Sequence, residues 1–360
     1  MSIAERKKGF FAAANSGEGF VSFYGEIFSP AKLERRYLIK GGAGSGKSSL
    51  MRRVADMAEK SGIGVEYYYC SSDYNSLDGV IIGGRVALID STPPHALECE
   101  LAGAVDVIVD TGLFWDSDLL AKERARIAEL TRKKKECYAG AYRYLEAALS
   151  LDRRRRECVR GYVDLPKLRR AAGRILRSLP SGVQYSKSVG LCSSIGMKGR
   201  VRLDSYERMA ERVYVINDAF STADLLLNML IDEAKSQRCR IRVSYDPLDT
   251  SRPDALLFED SATAFVIGDA DSDSPQAHIN MKRFIDISQC ERGDVSRTRT
   301  ELRAIAREKE RMLELACDQL ARAGEAHFTL ESIYVGAMDF GRESEYCESL
   351  GREVIRQIGS

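Results

Sequence analysis

The stretch that decides the fold lies at residues 41–48 and reads Gly41-Gly42-Ala43-Gly44-Ser45-Gly46-Lys47-Ser48. The aromatic and aliphatic run Arg36–Lys40 precedes it and predicts a short buried strand. Residues 49–60 follow it, and their apolar side chains recur at spacings of four and three residues, which places them on one helix face. The sequence therefore predicts a strand, a glycine loop and a helix in immediate succession.

This context is the one in which the pattern G-x-x-x-x-G-K-S indicates a phosphate-binding P-loop. Glycine lets the backbone curl until several N–H groups converge on a phosphate, and the following helix adds unpaired N–H groups and the positive end of its dipole. We expect Lys47 to reach the β- and γ-phosphates of ATP or GTP and the Ser48 hydroxyl to ligate Mg²⁺. The predicted nucleotide-binding residues are Gly42, Ala43, Gly44, Ser45, Gly46, Lys47, Ser48 and Ser49.

Composition narrows the class of protein. The chain has 360 residues, which is enough for two domains with full cores, and its 44% hydrophobic and 30% charged residues are typical of a soluble globular protein. The net charge of +1 supplies no overall field toward nucleic acid or an anionic membrane. The nine cysteines include no C-x-x-C pair, which favours free thiols over disulfides or a zinc site. With only a short apolar run at residues 10–14, we expect no membrane span and a cytoplasmic protein.

The sequence also repeats itself at an offset of about 180 residues. The matching segments, in order, are Tyr37–Ile39 with Tyr214–Ile216, Ser49–Lys60 with Leu226–Gln237, Gly64–Tyr69 with Arg240–Tyr245, Ser76–Ile82 with Arg252–Phe258, and Val86–Asp90 with Phe265–Asp269. They predict an α/β fold of two tandem P-loop-like domains, residues 1–180 and 181–360, each with a parallel sheet and a helical hairpin. The boundary is placed at Leu179–Gly182. An unrelated α/β domain in the second half is the alternative.

The second copy of the glycine loop has lost its chemistry. It corresponds to Asp218–Leu225, in which Gly46-Lys47-Ser48 is replaced by Ala223-Asp224-Leu225. A carboxylate at the lysine position repels phosphate at short range by on the order of 1 kcal/mol or more. The hydroxyl that would ligate the metal is also missing. We therefore expect a degenerate second half and one competent site in the first.

The remaining site candidates follow strands of the first half. The run Val86–Asp90 predicts a buried parallel strand that delivers Asp90 as the second Mg²⁺ carboxylate, in the Walker B position. Residue 91 is serine, so the glutamate that many ATP-driven motors use as a base is absent. Asp73 and His95 are the alternative catalytic candidates beside Lys47. His278 is interpreted as the repeat counterpart of His95, which favours a structural role for both.

Long helices are predicted in both halves. Apolar residues keep helical spacing from Asp118 to Leu151 and again from Leu302 to Leu320. The basic run Arg132–Lys135 falls mostly on the opposite face and is interpreted as a solvated helix face, since a nucleic-acid site needs interleaved aromatic residues and a basic domain.

The chain resembles a family of bacterial proteins described only as P-loop ATPases or NTPases with two tandem P-loop-like halves. The residues that carry the resemblance are Gly9-Phe10, Gly19–Phe23, the loop Gly41–Ser48, Tyr69–Asp73, Ser76–Val80, Ala87–Asp90 and Pro94-His95. The resemblance covers nearly the whole chain and implies its architecture more than its function. In that family the second half often keeps a glycine-lysine loop, and Asp218–Leu225 departs from this.

Three functions remain open at this stage. The first is a Mg²⁺-dependent NTPase that binds and hydrolyses ATP or GTP in its first half, with Asp73 or His95 orienting the water. The second is a kinase that transfers the γ-phosphoryl group to a small molecule, with Asp73 as base. The third is a nucleotide-gated binding module with little turnover, in which a protein partner contacts the helices.

Overall fold

The computed structural model describes residues 9–94, 97–268, 277–285 and 292–359. The strands are β1 (Gly9–Phe11), β2 (Ala13–Ser16), β3 (Gly19–Ser22), β4 (Arg35–Lys40), β5 (Val65–Tyr69), β6 (Leu77–Ile82), β7 (Val86–Asp90), β8 (Asp106–Asp110), β9 (Ser186–Val189), β10 (Ser193–Gly196), β11 (Gly199–Arg202), β12 (Arg212–Asn217), β13 (Arg240–Tyr245), β14 (Pro253–Phe258), β15 (Thr263–Ile267) and β16 (Ala277–Asn280). The helices are α1 (Tyr24–Ile27), α2 (Lys47–Lys60), α3 (Ser117–Lys122), α4 (Arg124–Arg160), α5 (Leu165–Arg177), α6 (Ser205–Met209), α7 (Ala223–Ser236), α8 (Arg292–Val335) and α9 (Phe340–Gly359).

The strands form two six-stranded sheets with one shared topology. The first sheet has the order β1-β5-β6-β7-β4-β8, and the second has the order β9-β13-β14-β15-β12-β16. Each strand of the first sheet thus has a counterpart at the same place in the second. A two-stranded hairpin accompanies each sheet, β2–β3 in the first half and β10–β11 in the second. The order of the described strands agrees with the duplication that the sequence predicts. One predicted match is wrong by two residues: Tyr37 pairs with Leu88 and Tyr214 with Phe265, so Val86–Asp90 corresponds to Thr263–Ile267.

The sheets are mixed, so the prediction of parallel sheets is wrong in this respect. Strand β7 runs parallel to β4 but antiparallel to β6, and β6 runs antiparallel to β5. The turn between β6 and β7 contains Gly83 and Gly84, whose φ angles of 61° and 69° lie in the left-handed region. Two glycines in that conformation close a tight hairpin, and a hairpin forces its two strands to be antiparallel.

The two long helices pack against one another along their length. Arg154, late in α4, pairs with Glu301, early in α8, at 2.7 Å. Gly140, earlier in α4, lies beside Gln319, later in α8, since a Cβ on Gly140 would be 3.1 Å from that side chain. The two helices are therefore antiparallel. Their contact surface buries small and aliphatic residues, including Ala141, Leu145, Ala316 and Leu320. The predicted helical spacing is confirmed, but the predicted hairpin within each half is not: α4 and α8 come from different halves. No helix in the described part of the chain is long and apolar enough to cross a bilayer.

The last helix of each half packs on the other half. Helix α9 covers α2, where Cys347, Leu350 and Val354 join the core of the first sheet. Helix α5 covers α7, and its Leu168 and Leu176 join the core of the second sheet. The packing units therefore exchange their final helices across the boundary near residue 180.

An approximate twofold axis relates the halves. Phe11 and Leu191 hold equivalent positions, and each donates its N–H to the carbonyl of the other, at 2.8 and 3.0 Å. The hairpins follow the same symmetry, because Gly17 donates its N–H to Leu248 while Met197 donates to Ser72. Each hairpin thus reaches the sheet of the other half, and residues from both halves meet at the same sheet edges.

We expect the substitution Gly351→Val to lower the free energy of unfolding by about 1–3 kcal/mol, because it overpacks the contact of α9 with α2. A Cβ at Gly351 would lie 2.5 Å from Met57 Sδ. Urea denaturation measures the effect, and a second substitution, Met57→Ala, should recover part of it. Gly359→Val is the control, since a Cβ at Gly359 meets no atom within 4 Å. Equal stability of Gly351→Val and the wild type would contradict the exchange of α9.

Candidate functional site

The glycine loop joins β4 to α2 at the carboxyl edge of the first sheet. Gly44 and Gly46 have φ angles of 68° and 77°, a conformation that glycine adopts without strain. Gly46 caps α2, so the first unpaired N–H groups of that helix and the positive end of its dipole lie at the loop. The predicted strand, loop and helix are confirmed.

Lys47 and Asp90 lie together at this edge. The Lys47 ammonium donates to the carbonyl oxygens of Gly41 at 3.1 Å and Gly42 at 2.7 Å, and it lies 3.7 Å from Asp90 Oδ2. Asp90 is the last residue of β7, and its Oδ1 accepts from the backbone N–H of Thr92 at 3.0 Å. These bonds fix the lysine over the loop and the carboxylate beside it.

The serines of the loop differ in their surroundings. Ser45 is buried, and its hydroxyl donates to the Gly42 carbonyl and accepts from Thr111 Oγ1. Ser48 Oγ accepts from the backbone N–H of Leu77 at 2.9 Å, which holds the side chain on the β6 side of α2. Ser49 is exposed on the first turn of α2, and Ala43 is half-buried. Ser45 thus supports the shape of the loop, whereas the Ser48 oxygen keeps a second lone pair for a ligand.

The donor set fits a hard cation. A hydroxyl from Ser48 and a carboxylate from Asp90 are oxygen ligands, and Mg²⁺ binds through one or two such groups together with substrate phosphates and water. The described residues hold no group of three or more His, Cys, Asp or Glu side chains arranged for a metal. A metal here would therefore depend on a bound phosphate for part of its coordination.

Of the two further catalytic candidates, Asp73 lies within the described residues and His95 does not. Asp73 is buried, pairs with the Lys198 ammonium at 3.1 Å and accepts from the N–H of Asn75 at 3.2 Å. Lys198 lies in the turn between β10 and β11, so the second half supplies the partner of this carboxylate. His95 lies outside the described residues.

His278 does not hold the predicted repeat position. It lies in the edge strand β16, where it pairs with Val215 of β12. The equivalent strand of the first half is β8, and the register against β4 makes Ile108 the counterpart of His278. The predicted equivalence with His95 is therefore wrong, because residue 95 precedes the edge strand of its half in the sequence, whereas His278 lies within the edge strand of the other half.

The C-terminal part of α8 covers the glycine loop, which sequence reasoning missed. A Cβ on Gly44 would lie 2.6 Å from the backbone oxygen of Glu331, so only glycine allows this approach. A Cβ on Gly42 would lie 3.3 Å from both Trp115 and Tyr334, whose rings are in contact at 5.3 Å between centroids. A helix of the second half thus closes over the loop of the first.

Charged side chains of the long helices surround the same site. Burial, followed by the ammonium groups of Lys134 and Lys47, lowers the pKa of His327 to about 4, although Asp73 acts in the opposite direction. Burial raises the pKa of Glu331, and Asp73 raises it further, while Lys47 opposes this. At pH 7 the imidazole is therefore neutral. The site combines cations and carboxylates from both halves.

An alignment of the two long helices identifies these residues in the sequence. Trp115 pairs with Met338, and Val163 pairs with Ile285 at the equivalent place in the other half. Val163, just after α4, and Met338, just after α8, are thus equivalent residues, and the two helices align at an offset of 175 residues. This offset places Lys134 over Lys309 and His327 over Asp152. The segments that match in sequence end at the last strand before the long helices, so they do not include these pairs.

The second-half loop keeps the backbone shape but contains its own anion. Ser221 occupies the position of Gly44 and has a φ angle of 57°. The Asp218 carboxylate accepts from the N–H groups of Thr222 and Ala223, each at 2.8 Å. Helix α7 begins at Ala223 and α2 at Lys47, so the helix bounds place Asp224 at the position of Ser48 rather than at the predicted position of Lys47. Asp224 pairs with Arg252 at 3.1 Å. Asp218 thus binds the N–H groups of its own loop.

Comparisons with known protein families, with curated proteins and with solved structures found no match. The proposals below rest on the residues and the geometry of this chain.

Proposed function

We propose that the protein binds Mg²⁺-ATP or Mg²⁺-GTP at the glycine loop of its first half and hydrolyses it. The observation that carries the proposal is the loop between β4 and α2, with left-handed Gly44 and Gly46 and with Lys47 placed 3.7 Å from Asp90. Converging backbone N–H groups, a helix N-terminus and one lysine form an arrangement suited to a polyphosphate.

Each residue has a role in this proposal. The loop N–H groups and Lys47 bind the phosphates, and Ser48 and Asp90 supply oxygen ligands for Mg²⁺, which neutralises charge on the phosphates when bound. Asp73 pairs with Lys198, so any activation of water by Asp73 requires that pair to open. Phosphoryl transfer depends mainly on positioning and charge stabilisation. The lack of a strong base would therefore slow hydrolysis without preventing nucleotide binding.

The nucleotide-gated module is the second candidate, and a particular contact favours it. The Glu331 backbone of α8 lies against Gly44, and α8 belongs to the second half of the chain. A conformational change of the loop on binding phosphate would therefore act directly on α8, which packs along α4 of the first half. Tight nucleotide binding with negligible phosphate release would favour this candidate over hydrolysis.

The substitution Lys47→Ala tests the site. We expect it to weaken binding of ATP and GTP roughly ten- to hundredfold, because it removes a charge-assisted hydrogen bond to phosphate. Calorimetric titration in the presence of Mg²⁺ measures the change. Lys60→Ala is the matched control, since Lys60 is exposed at the other end of α2. Unchanged affinity in Lys47→Ala would refute the proposal.

Asp90→Asn separates the metal from the phosphates. Asparagine can still accept from the Thr92 N–H, but it is a weaker ligand for Mg²⁺. We expect phosphate release to fall, while nucleotide binding measured with EDTA stays as in the wild type. Full phosphate release by Asp90→Asn would remove this residue from the metal site.

A further inference from the structure

One lysine of the basic run on α4 differs from its neighbours. Lys133 and Lys135 are exposed, and Arg132 pairs with Glu136 one turn along the helix at 2.7 Å. Lys134 is half-buried, and within the described residues it has no hydrogen bond or ion pair. The interpretation of the run as a solvated face therefore holds for its neighbours but not for Lys134. A half-buried, unpaired ammonium loses hydration without gaining a partner, so its position needs an explanation.

The position of Lys134 is next to the glycine loop. Tyr138, one turn further along the same face, donates its hydroxyl to Ser72 Oγ at 2.9 Å, immediately before Asp73. On the facing helix, Glu331 lies against Gly44. Burial is the largest cause that lowers the pKa of Lys134, the Lys47 ammonium lowers it further, and the Glu331 carboxylate acts in the opposite direction. Lys47 and Lys134 thus repel one another, and Glu331 forms no ion pair with either ammonium within the described residues, so an anion that reaches both lysines is favoured.

The repeat shows what this lysine does in the absence of a phosphate site. Its counterpart in the second half is Lys309, which pairs with Asp152 at 2.8 Å. Asp152 in turn contacts Arg252 at 3.2 Å, so the charges around the degenerate loop satisfy one another. At the first-half loop, His327 of α8 holds the position equivalent to Asp152, and its imidazole is neutral at pH 7. Lys134 therefore lacks the carboxylate with which Lys309 pairs.

Two differences between the halves therefore coincide. In the second half a carboxylate of the loop itself, Asp218, binds the loop N–H groups, and the lysine is neutralised by Asp152. In the first half the residue at the Asp218 position is Gly41, and Lys134 has no ion pair within the described residues. Both differences increase the capacity of the first half to bind an external anion at the same place.

We propose that Lys134 is a second phosphate-binding cation, which contacts the terminal phosphate of a nucleoside triphosphate held by the glycine loop. This inference rests on the proposed function. The tip of Lys47 reaches the β- and γ-phosphates in a loop of this type, and Tyr138, one turn from Lys134 on α4, is hydrogen-bonded to Ser72 beside Asp73. Contact with Lys134 therefore distinguishes a triphosphate from a diphosphate.

The test compares ATP and ADP, each with Mg²⁺, by calorimetric titration of the full-length protein. Lys134→Gln should weaken ATP binding about tenfold and leave ADP binding unchanged, because one charge-assisted contact to the last phosphate is lost. Lys134→Arg should retain most of the preference for ATP, since the charge is kept. Lys135→Gln is the matched control and should bind both nucleotides as the wild type does. Thermal melting checks that each variant is folded.

The outcomes are separable. Equal losses for ATP and ADP in Lys134→Gln, or no loss for either, would overturn the assignment to the terminal phosphate while the proposed function stands. A wild type that binds neither nucleotide would refute the proposed function and, with it, this inference. A loss confined to ATP that Lys134→Arg recovers supports it, because a purely structural role of the lysine would not depend on the number of phosphates.

Discussion

Replacing Arg36 with methionine is expected to lower the free energy of unfolding by about 3–5 kcal/mol, because the substitution leaves a buried carboxylate without its cation. The Arg36 side chain is 0% exposed, and its Nε and Nη2 donate to the two carboxylate oxygens of Asp106 at 2.6 and 2.9 Å. Nη1 donates to the carbonyl of Phe28 at 3.0 Å. The pair joins β4 to the edge strand β8, so its loss weakens the strand that leads into the glycine loop.

The pH dependence of stability gives an independent measure of the same pair. The hydrogen bond from Arg36, together with the N–H groups of Leu101 and Glu100, lowers the pKa of Asp106 to about 2. A carboxyl group whose pKa is lower in the folded state contributes stability above its unfolded pKa of about 4 and loses it as the pH falls toward 2. The wild type should therefore lose stability over this range more steeply than Arg36→Met does.

Urea denaturation at several pH values measures both effects. Arg35→Met is the matched control, because the neighbouring Arg35 is partly exposed and donates only to loop carbonyls, at Gly103 and Ala104. Its effect on stability should stay within about 1 kcal/mol. If Arg36→Met unfolded at the same urea concentration as Arg35→Met, the buried pair would not contribute as described.

Arg252→Met is expected to destabilise the protein by a similar amount, about 3–5 kcal/mol, but without weakening nucleotide binding. The Arg252 side chain is 7% exposed and pairs with Asp152 at 3.2 Å, Asp224 at 3.1 Å and Asp246 at 3.9 Å. It also donates to the carbonyl of Ser221 at 2.9 Å. Without the guanidinium, Asp224 loses its ion-pair partner beside the second-half loop.

The contrast between stability and binding is the informative part of this prediction. Urea denaturation reports the loss of stability, and titration with Mg²⁺-ATP below the unfolding transition reports binding. Arg240→Met is the control, since its pair with Asp260 is 56% and 21% exposed and is worth about 1 kcal/mol or less. A large loss of nucleotide affinity in a folded Arg252→Met variant would mean that the second-half loop takes part in binding.

Local patterns in the sequence predict much of this structure. The glycine loop, the strand before it and the helix after it lie where the residues 36–60 place them, because glycine conformation and apolar periodicity act over a few neighbouring residues. The duplication is visible for the same reason, since each copy keeps the same order of strands. The hairpin at Gly83-Gly84 could also have been predicted from its two glycines, and with it the mixed sheet.

The partners of the site residues could not be predicted in this way. Lys198, His327 and Glu331 reach the first-half loop through a hairpin and a helix of the second half. Each is far from the loop in sequence, and no local pattern connects them. The alignment of α4 with α8 identifies equivalent residues, but it does not show that the two helices pack on each other.

The sequence by itself determined two copies of one α/β unit, with a glycine loop in the first copy and its glycine-free counterpart at Asp218–Leu225 in the second. Only the tertiary structure decided which of the two copies is covered by each of the long helices α4 and α8 and by each of the final helices α5 and α9. The reason is physical: an apolar helix face such as that of α9 is compatible with either of two similar sheets, and side-chain packing selects between them. Here Cys347, Leu350 and Val354 pack on the first sheet, after α8 has carried Glu331 to the glycine loop.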